Sequence, residues 1–539
     1  MAHPLAGQKA PIEQLVNLPR LLADYYTAEP KAPVAFGTSG HRGSSITGSF
    51  NDSHVAAVTQ AVAEYRRAQG YGGPLFLGYD THGLSEAAFR SALEVLAANE
   101  VPTVIHQGGE YTPTPVISRL IIEHNLGSAA SLADGLIITP SHNPPSDGGI
   151  KYNPPNGGPA DVEVTGWIEK RAGKLMAEPG LIKRTPYFRA AKSDYVSSRD
   201  FIRPFAKALG SVVDLPAVKA AGLRLAADPL GGSGVHFWEP IAEEWGLNIT
   251  VVNKAVDASF SFMPLDADGV IRMDCSSPYA MAGLIASGGD YDLAFGNDPD
   301  FDRHGIVSDG RLMNPNHFLA TAIDYLLANR PDWPRPARVG KTLVSSAIID
   351  RVVEAAGAVV YETPVGFKWF VEGLSGGALV FGGEESAGAS FLRRDGSVWT
   401  TDKDGFCMAL LAAEIMAVSG RSPAEYFEKL SERFGRSDYG RIDTSISDAE
   451  KVILKQVDAA DFIGKKLAGK KITAAFTTAP GNNASIGGLK AVLDDGSWFA
   501  LRPSGTEPKL KLYVESFSGT DTWKSICEEA PVMIFGSGK

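Results

Sequence analysis

The sequence predicts an α/β protein made of three similar α/β domains with mixed sheets and a smaller α+β domain at the C-terminus. Short apolar runs of strand character that alternate with helical stretches predict the α/β part, and a proline-rich segment at residues 329–336 marks a domain boundary within it. A third observation separates the C-terminal domain. Closely spaced turn sequences at residues 482–488 and 494–497 indicate antiparallel strands.

The alternation can be followed along the chain. We expect strands at 74–78, 136–139, 223–226 and 342–344, and helices at 85–98, 237–245 and 348–356. Residues 77–80 and 225–228 look alike, because each is a strand end of small residues followed by Asp. This likeness hints at repeated α/β units.

Domain limits follow from breaks in the pattern. The clearest break is the proline-rich segment, and weaker ones lie near Gly210 and Gly440. The predicted domains are therefore 1–210, 211–330, 331–440 and 441–539. Near the C-terminus we expect Pro531 to end the last helix at about Ala530, because proline lacks the N–H group that a helix needs.

Composition is that of an ordinary globular protein, with 44% hydrophobic and 21% charged residues in a chain of 539. A net charge of -11 argues against a nucleic-acid partner. Three widely spaced cysteines offer neither a disulfide framework nor a zinc pattern. The sequence has no signal-type N-terminus and no run approaching a membrane span, so we expect a cytoplasmic protein.

Ser141 is the first candidate functional residue. It follows the apolar run 136–138 and lies between Pro140 and the prolines at 144 and 145, which keep the segment out of regular structure. A serine on a stiff turn after a buried strand is typical of a nucleophile in an α/β protein. The alternative is an ordinary proline-rich surface turn.

Three carboxylates recur at every second residue in a second loop, as Asp298, Asp300 and Asp302. An extended loop with a period of two brings such side chains to one side, where they need a cation. Oxygen ligands select Mg²⁺ or Ca²⁺, and open positions for phosphate or water favour Mg²⁺. A calcium hand would require Gly where Arg303 stands. A solvated acidic turn is the remaining alternative.

Three further segments carry hydrogen-bonding groups suited to oxyanions or sugar hydroxyls. Residues 501–511 combine hydroxyls, a glycine and cations, which is the chemistry of a phosphate-binding loop, although a plain hairpin also explains them. Residues 382–388 and 37–43 are glycine-rich loops with acidic, basic and hydroxyl groups, which suit a polyol. Glycine-rich turns are also common for conformational reasons alone.

Together these segments resemble one family, the α-D-phosphohexomutases, and within it the bacterial α-phosphoglucomutase branch. The resemblance extends from about residue 35 to about 520. Its segments are 37–43, 139–161, 298–303, 363–370, 383–388 and 502–511. It implies four domains around a central cleft. In chain order, the four predicted domains would contain a phosphoserine loop, a metal-binding loop, a sugar-binding loop and a phosphate-binding site.

The resemblance also implies residue roles. Ser141 would carry the phosphoryl group and, with Asp298, Asp300 and Asp302, hold one Mg²⁺ per chain. Positive or polar groups around the reacting phosphoryl would be Arg42, His142, Lys151, Arg303 and Lys403. Substrate-binding groups would be Thr38, Ser39, Lys368, Glu384, Ser386, Arg502, Ser504, Gly505, Thr506 and Lys511.

The implied reaction is the reversible interconversion of glucose 1-phosphate and glucose 6-phosphate, with glucose 1,6-bisphosphate as intermediate and activator. The implied partners are hexose phosphates, with no nucleic acid or membrane, for a monomer or homodimer. Phosphomannomutase activity is one alternative, because the orientation of one hydroxyl is a small energetic difference. A metal-dependent sugar-phosphate phosphatase is another, and a silent binding protein on the same scaffold a third.

Overall fold

The computed structural model describes residues 2–37, 40–127, 131–503 and 509–536. Four sheets lie in these residues, in four consecutive units that we number one to four. The first three units combine mixed sheets with helices, and the fourth is an antiparallel sheet with two helices. The predicted fold class is confirmed. The domain limits at 210, 330 and 440 stay a prediction.

The first unit contains a sheet of order β1-β5-β4-β2-β3-β6. Its strands are β1 (His41–Gly43), β2 (Leu75–Tyr79), β3 (Thr103–His106), β4 (Asp134–Ile138), β5 (Gly148–Asn153) and β6 (Val196–Arg199). Its helices are α1 (Leu18–Thr27), α2 (Asp52–Gln69), α3 (Ser85–Ala98), α4 (Thr114–Gly127), α5 (Val162–Ala177) and α6 (Tyr187–Ala190). β2 pairs in parallel with both β3 and β4, so their carboxyl ends share one edge.

The second unit has the sheet order β11-β10-β9-β7-β8. Its elements are α7 (Ile202–Ala208), α8 (Leu215–Ala221), β7 (Arg224–Asp228), α9 (Trp238–Trp245), β8 (Asn248–Val251), α10 (Ala282–Ser287), β9 (Leu293–Gly296), β10 (Gly305–Ser308) and β11 (Arg311–Leu312). The antiparallel hairpin of β9 and β10 contains the acidic loop between its strands.

The third unit has the sheet order β13-β12-β14-β15. Its elements are α11 (Pro315–Asn329), β12 (Arg338–Thr342), α12 (Ile348–Ala355), β13 (Val359–Thr363), α13 (Val371–Ser375), β14 (Phe381–Glu384), β15 (Gly388–Phe391), α14 (Gly405–Ser419) and α15 (Pro423–Phe434). One continuous apolar core joins this unit to the first two, with Phe301 stacked on Phe406 at 4.6 Å between ring centroids. The shared core holds the loops of three units against one another.

The fourth unit has the order β16-β21-β20-β19-β18-β17. Its elements are β16 (Asp438–Ser445), α16 (Asp448–Gln456), β17 (Lys466–Leu467), β18 (Lys470–Thr478), β19 (Ser485–Leu493), β20 (Trp498–Pro503), β21 (Lys509–Ser516) and α17 (Thr520–Phe535). Buried Glu515 joins it to the third unit by accepting hydrogen bonds from the Ser346 hydroxyl and from the Ala347 N–H, the latter at 2.7 Å.

Three predicted elements are wrong in detail. The strand expected at 342–344 ends at Thr342, because Leu343 and Val344 pack against the fourth unit. Residues 382–388 form the hairpin of β14 and β15 rather than a loop. Helix α17 continues through Pro531 to Phe535, because Met533, Ile534 and Phe535 pack on the core of the fourth unit.

Among the described residues, no single helix is long and apolar enough to cross a membrane. One bent pair, α14 with α15, passes a test of length and composition when the two helices are taken together.

Candidate active site

Three loops from three units meet at one buried centre. Ser141 follows β4, the acidic residues 298–302 follow β9, and Lys403 lies just before α14. β4 and β9 are each inner strands with a parallel neighbour, and α/β proteins place their chemistry at such carboxyl ends.

Ser141 is 1% exposed and has φ of +61°. A non-glycine residue in this left-handed region is uncommon and requires support from its surroundings. Its Oγ donates to Asp298 Oδ2 at 3.0 Å, and its N–H donates to Thr139 Oγ1 at 2.8 Å. The hydroxyl is therefore aimed at the acidic loop.

Asp298, Asp300 and Asp302 are all buried, and each offers an oxygen within 4.8 Å of the others. The loop turns sharply between them, with φ of +61° at Phe301. Its back packs on the start of α14, where a Cβ at Gly405 would lie 2.3 Å from the carbonyl oxygen of Arg303. Only glycine allows this approach, so residue 405 fixes the position of the loop.

Basic side chains surround the three carboxylates. Lys151 Nζ lies 2.6 Å from Asp300 Oδ2 and 3.3 Å from Asp302 Oδ2. Lys403 Nζ lies 3.0 Å from Asp302 Oδ2, and Arg303 Nε lies 3.8 Å from Asp302 Oδ1. Each of these cations is thus held in place by a carboxylate of the acidic loop, and positive charge oriented in this way can stabilise an anion.

The two other residues of the predicted cluster also lie here. Arg42 interacts electrostatically with all three carboxylates, and its NH1 is 3.5 Å from Asn143 Oδ1. His142 Nδ1 lies 3.4 Å from Ser141 Oγ. Burial and the neighbouring Arg303 lower the pKa of His142 well below its usual value, which favours the neutral imidazole.

The carboxylates differ in their preferred charge. Burial and the neighbouring Asp300 and Asp302 raise the pKa of Asp298 well above its usual value. Burial alone would also raise that of Asp302, but Lys403, Lys151 and Arg303 outweigh it and hold the pKa low. Asp298, beside Ser141, therefore resists ionisation unless a further cation neutralises its charge.

The acidic triad fits a hard metal ion. Oδ1 of Asp300 and Oδ1 of Asp302 are buried and accept no hydrogen bond from any described residue. Buried carboxylate oxygens without partners are costly unless a cation coordinates them. Asp298, Asp300 and Asp302 are the residues that could hold such an ion, next to the Ser141 hydroxyl.

A cavity beside this centre is lined by Lys151, Asp302, Lys403 and Glu384 from the polar side and by Pro159 and Phe367 from the apolar side. Glu384 Oε1 accepts the N–H of Gly366 at 3.0 Å. Burial, together with Glu385, raises the pKa of Glu384 to about 7 despite the nearby Lys403. The mixture of charged and apolar walls suits a sugar ring.

The other predicted residues of the sugar loop lie farther round the same region. Ser386 is half-buried in the turn between β14 and β15. Lys368 Nζ lies 5.5 Å from the centroid of the Trp369 ring. Glu385 instead accepts a hydrogen bond from Thr342 Oγ1 at 2.7 Å.

The predicted phosphate-binding segment lies in the fourth unit, whereas loops of the first three units form the acidic centre. Arg502 on β20 and Lys511 on β21 are register partners, and both are half-buried. Arg502 interacts with Tyr513, and Lys511 pairs in register with Asp443 of β16. Thr38, Ser39, Ser504, Gly505 and Thr506 lie outside the described residues.

Sequence reasoning missed three supporting residues. Thr114 at the start of α4 donates from Oγ1 to Asp300 Oδ2 at 3.0 Å. Asp274 Oδ2 lies 3.8 Å from Arg303 NH1, and Asp402 accepts from Asn153 Nδ2 at 3.0 Å. Thr114 and Asp274 belong to no recognisable motif. Asp402 alone had a local signal, since it precedes Lys403.

Comparison with family profiles decides the relationship. Phosphoglucomutase/phosphomannomutase alpha/beta/alpha domains I, II and III match residues 33–178, 203–310 and 314–434. The C-terminal domain of that family matches residues 451–530. The chain belongs to the phosphoglucomutase/phosphomannomutase family. The predicted resemblance to the phosphohexomutases is thereby confirmed.

Relatives agree with this membership. A phosphoglucomutase of Komagataeibacter xylinus is 51% identical over 535 residues, covering 98% of this chain and 96% of the relative. Human phosphoglucomutase-1 is 26% identical over 532 residues, covering 89% and 90%.

Solved structures share the fold. The open form of Paramecium parafusin, a phosphoglucomutase, aligns with a TM-score of 0.74 at 20% identity, covering 94% of this chain and 95% of the other. A family protein of Burkholderia thailandensis aligns with a TM-score of 0.69 at 17% identity, covering 94% and 98%.

Proposed function

We propose that this protein is a phosphoglucomutase, which interconverts glucose 1-phosphate and glucose 6-phosphate through a phosphoserine at Ser141 and bound glucose 1,6-bisphosphate. The observation that carries the proposal is the hydroxyl of Ser141, which sits 3.0 Å from Asp298 inside a buried ring of carboxylates and cations. The 51% identical relative named a phosphoglucomutase supports the same choice.

In the proposed phosphoryl transfer at Ser141, one oxygen–phosphorus bond forms as another breaks. A sugar hydroxyl oxygen attacks the phosphorus, the bond from Ser141 Oγ to phosphorus breaks, and the hydroxyl proton ends on Oγ. The resulting serine hydroxyl makes the hydrogen bond to Asp298 described above. The reverse step, with the sugar turned end for end, returns a phosphoryl group from the other position to Oγ.

The cations of the site act on the transferring group. Lys151, Lys403 and Arg303 are ionised, because the carboxylates beside them outweigh burial and raise their pKa values. They serve as positive charge for the equatorial oxygens of the phosphoryl group. Arg42 approaches the same centre from β1, on the first unit's side.

We infer that the acidic triad and the Ser141 phosphoryl oxygen hold one Mg²⁺. Three carboxylates leave coordination positions for phosphate and water, which suits Mg²⁺ better than Ca²⁺. When bound, the ion supplies Lewis-acid stabilisation of the charge on the transferring phosphoryl group.

Binding is divided among three units in this proposal. Glu384 and Ser386 would bind sugar hydroxyls, with Lys368 and the 37–43 loop, including Thr38 and Ser39, beside them. The distal phosphate would bind to the fourth unit through Arg502, Ser504, Gly505, Thr506 and Lys511. A phosphate site on a different unit from Ser141 would let either end of the sugar present its free hydroxyl to the phosphoserine.

The remaining expectations are proposals of the same kind. We propose domain limits of 1–210, 211–330, 331–440 and 441–539, a monomer or homodimer, and a cytoplasmic location. The location is supported by three free cysteines, two of them buried.

The test is an assay of purified protein with Mg²⁺, glucose 1-phosphate and a trace of glucose 1,6-bisphosphate. Glucose 6-phosphate and free phosphate are followed together, and mannose 1-phosphate is compared as substrate. Rapid glucose 6-phosphate without free phosphate is the expected result. Free phosphate as the main product would replace the mutase by a phosphatase, and faster turnover of mannose 1-phosphate would replace it by a phosphomannomutase.

A further inference from the structure

Two buried residues at the end of β2 contact the loop that contains Ser141. Asp80 is 1% exposed and His82 is 3% exposed. The N–H of Asp80 donates to the carbonyl oxygen of Ile138 at 3.0 Å, which extends the parallel pairing of β2 and β4 by one bond. Both side chains therefore project at the edge of the sheet from which the serine loop begins.

The first contact runs through Thr139. Its Oγ1 donates to Asp80 Oδ2 at 2.6 Å and accepts the N–H of Ser141 at 2.8 Å. A threonine hydroxyl has one proton. Because that proton is donated to Asp80, a lone pair of the same oxygen is left to accept the N–H of Ser141. Asp80 thus orients the backbone of Ser141, the residue whose left-handed φ needs support.

The second contact runs through His82. Its Nδ1 lies 2.9 Å from Asp80 Oδ2, and its Nε2 lies 3.0 Å from the carbonyl oxygen of Asn143. Both partners are acceptors, so both ring nitrogens must donate and the ring is an imidazolium. Although burial would lower the pKa of His82, the carboxylate of Asp80 raises it, in agreement with this geometry.

The other neighbours of the pair hold it in place. Asp80 Oδ1 accepts from Ser85 Oγ at 2.6 Å, where α3 begins, and from the N–H of His82 at 3.0 Å. Asp147 lies near the imidazolium on the loop side, and the Phe260 ring of the second unit lies 5.1 Å from the imidazole. The ion pair of Asp80 and His82 is thus held in a fixed position.

We propose that Asp80 and His82 are positioning residues for phosphoryl transfer at Ser141. They hold the serine loop on both sides of the nucleophile, by the N–H of Ser141 through Thr139 and by the carbonyl of Asn143. This fixes Oγ relative to Asp298 while the phosphoryl group leaves and returns. The inference rests on the function proposed above and adds residues outside the acidic and basic cluster.

A matched pair of variants tests His82. His82→Asn keeps a donor near the Nδ1 position and loses the contact with Asn143, whereas His82→Gln keeps a donor near the Nε2 position. We expect His82→Asn to lower kcat about 10- to 100-fold with KM changed less than about threefold, because displacement of a reacting group by an ångström has effects of this size. His82→Gln should recover most of the lost kcat.

Thr139 gives a second pair. Thr139→Val removes the hydroxyl at constant shape and should lower kcat in the same way, and Thr139→Ser should restore most of it. His106→Asn is the control, because His106 is a buried histidine at the end of β3 whose Nδ1 contacts the main chain of Arg199 and Phe201. It should lower Tm while kcat stays within about twofold of the unmodified protein.

Intact mass of each variant after incubation with glucose 1,6-bisphosphate measures phosphorylation of Ser141 separately from turnover. If the variants of His82 and Thr139 have a lower Tm but the original kcat, Asp80 and His82 have only a structural role. The same conclusion follows if His82→Asn and His82→Gln have equal kcat. Unmodified protein that neither turns over nor takes up a phosphoryl group would contradict the proposed function as well. Turnover in the unmodified protein with unaffected variants would contradict this inference alone.

Discussion

The centre around Ser141 and the proposed phosphate-binding segment of the fourth unit differ in how their charges are held. At the centre, Ser141, the acidic triad and Lys151 are each no more than 3% exposed, and Lys151 and Lys403 each form an ion pair with Asp302. In the fourth unit, Arg502 and Lys511 are half-buried on neighbouring antiparallel strands. The first arrangement is fixed in place by burial, and the second remains accessible to an anion from solvent.

This difference indicates a division of labour. Charges that are already desolvated and oriented stabilise a transition state without further reorganisation, so changes at the centre should act on kcat. Cations on an accessible sheet contribute binding that ground state and transition state share, so changes there should act on KM.

The fourth unit attaches to the third through Glu515 and through an ion pair of 2.8 Å between Lys490 and Glu362.

The largest expected effect is that of Ser141→Ala. Without Oγ no phosphoserine forms, so turnover should fall by at least about 10⁴-fold, the scale found when a nucleophile is removed. Calorimetry should still detect binding of glucose 1-phosphate, because the proposed sugar and phosphate contacts lie on other loops. Turnover that survives in this variant would remove Ser141 from the mechanism.

Asp300→Asn should have the next largest effect. Asp300 Oδ2 accepts from both Lys151 and Thr114, and its Oδ1 is one of the unpartnered oxygens of the proposed metal site. We expect activity to fall by more than about 100-fold and the Mg²⁺ concentration for half-activation to rise.

Metal titration supplies the matched measurement. Mg²⁺ should raise the Tm of the unmodified protein, because an ion that binds only the folded state stabilises it, and the increase should shrink in Asp300→Asn. Asp290→Asn, at an exposed position of the same unit, is the control and should keep the full increase. An unchanged Mg²⁺ response in Asp300→Asn would place the metal elsewhere.

Arg502→Ala tests the other region. A hydrogen bond to a charged group contributes about 1.5–3 kcal/mol, so KM for glucose 1-phosphate should rise about 10- to 150-fold while kcat changes less. Lys524→Ala is the control, since Lys524 is an exposed cation on α17 of the same unit. A fall in kcat with unchanged KM would break the proposed division between the two regions.

The sequence predicted the loops of this site better than the contacts between them. Ser141 and the acidic residues are local patterns after apolar strands, and such patterns can be recognised without a structure. Thr114 and Asp274 approach the same centre from distant segments with no motif of their own, so only the folded chain identifies them. The Asp80–His82 pair falls between these cases, because the strand end at Asp80 was visible but its partner loop was not.

The same limit applies to the fold. Alternating strands and helices are local signals, and helix 85–98 was predicted with the bounds that the structure has. The predictions were wrong where tertiary packing decides the local structure. Leu343 and Val344 looked like strand because they are apolar, but they are buried against Trp498 and Tyr513 of the fourth unit. Pro531 looked like a helix end because tertiary packing beyond it cannot be read from local sequence.

The smallest expected effect concerns Glu384, where burial has raised the pKa to about 7. An ordinary Glu in the unfolded chain titrates near 4.3, so the folded state binds this proton more tightly. The stabilising contribution of protonated Glu384 is then fully present below about pH 4 and is lost as pH rises towards about 7. Glu384→Gln, which cannot ionise, should therefore gain Tm relative to the unmodified protein between pH 5 and pH 8.

The same substitution should raise KM, because Gln replaces a carboxylate that we propose accepts hydrogen bonds from sugar hydroxyls. Thermal unfolding at pH 5 and pH 8 measures the first effect, and Glu372→Gln, an exposed acid on α13, is the control with no expected pH dependence. A Tm difference for Glu384→Gln that is the same at both pH values would contradict the raised pKa. A gain in Tm together with a higher KM would mean that the sugar site keeps a buried carboxylate for binding at the expense of stability.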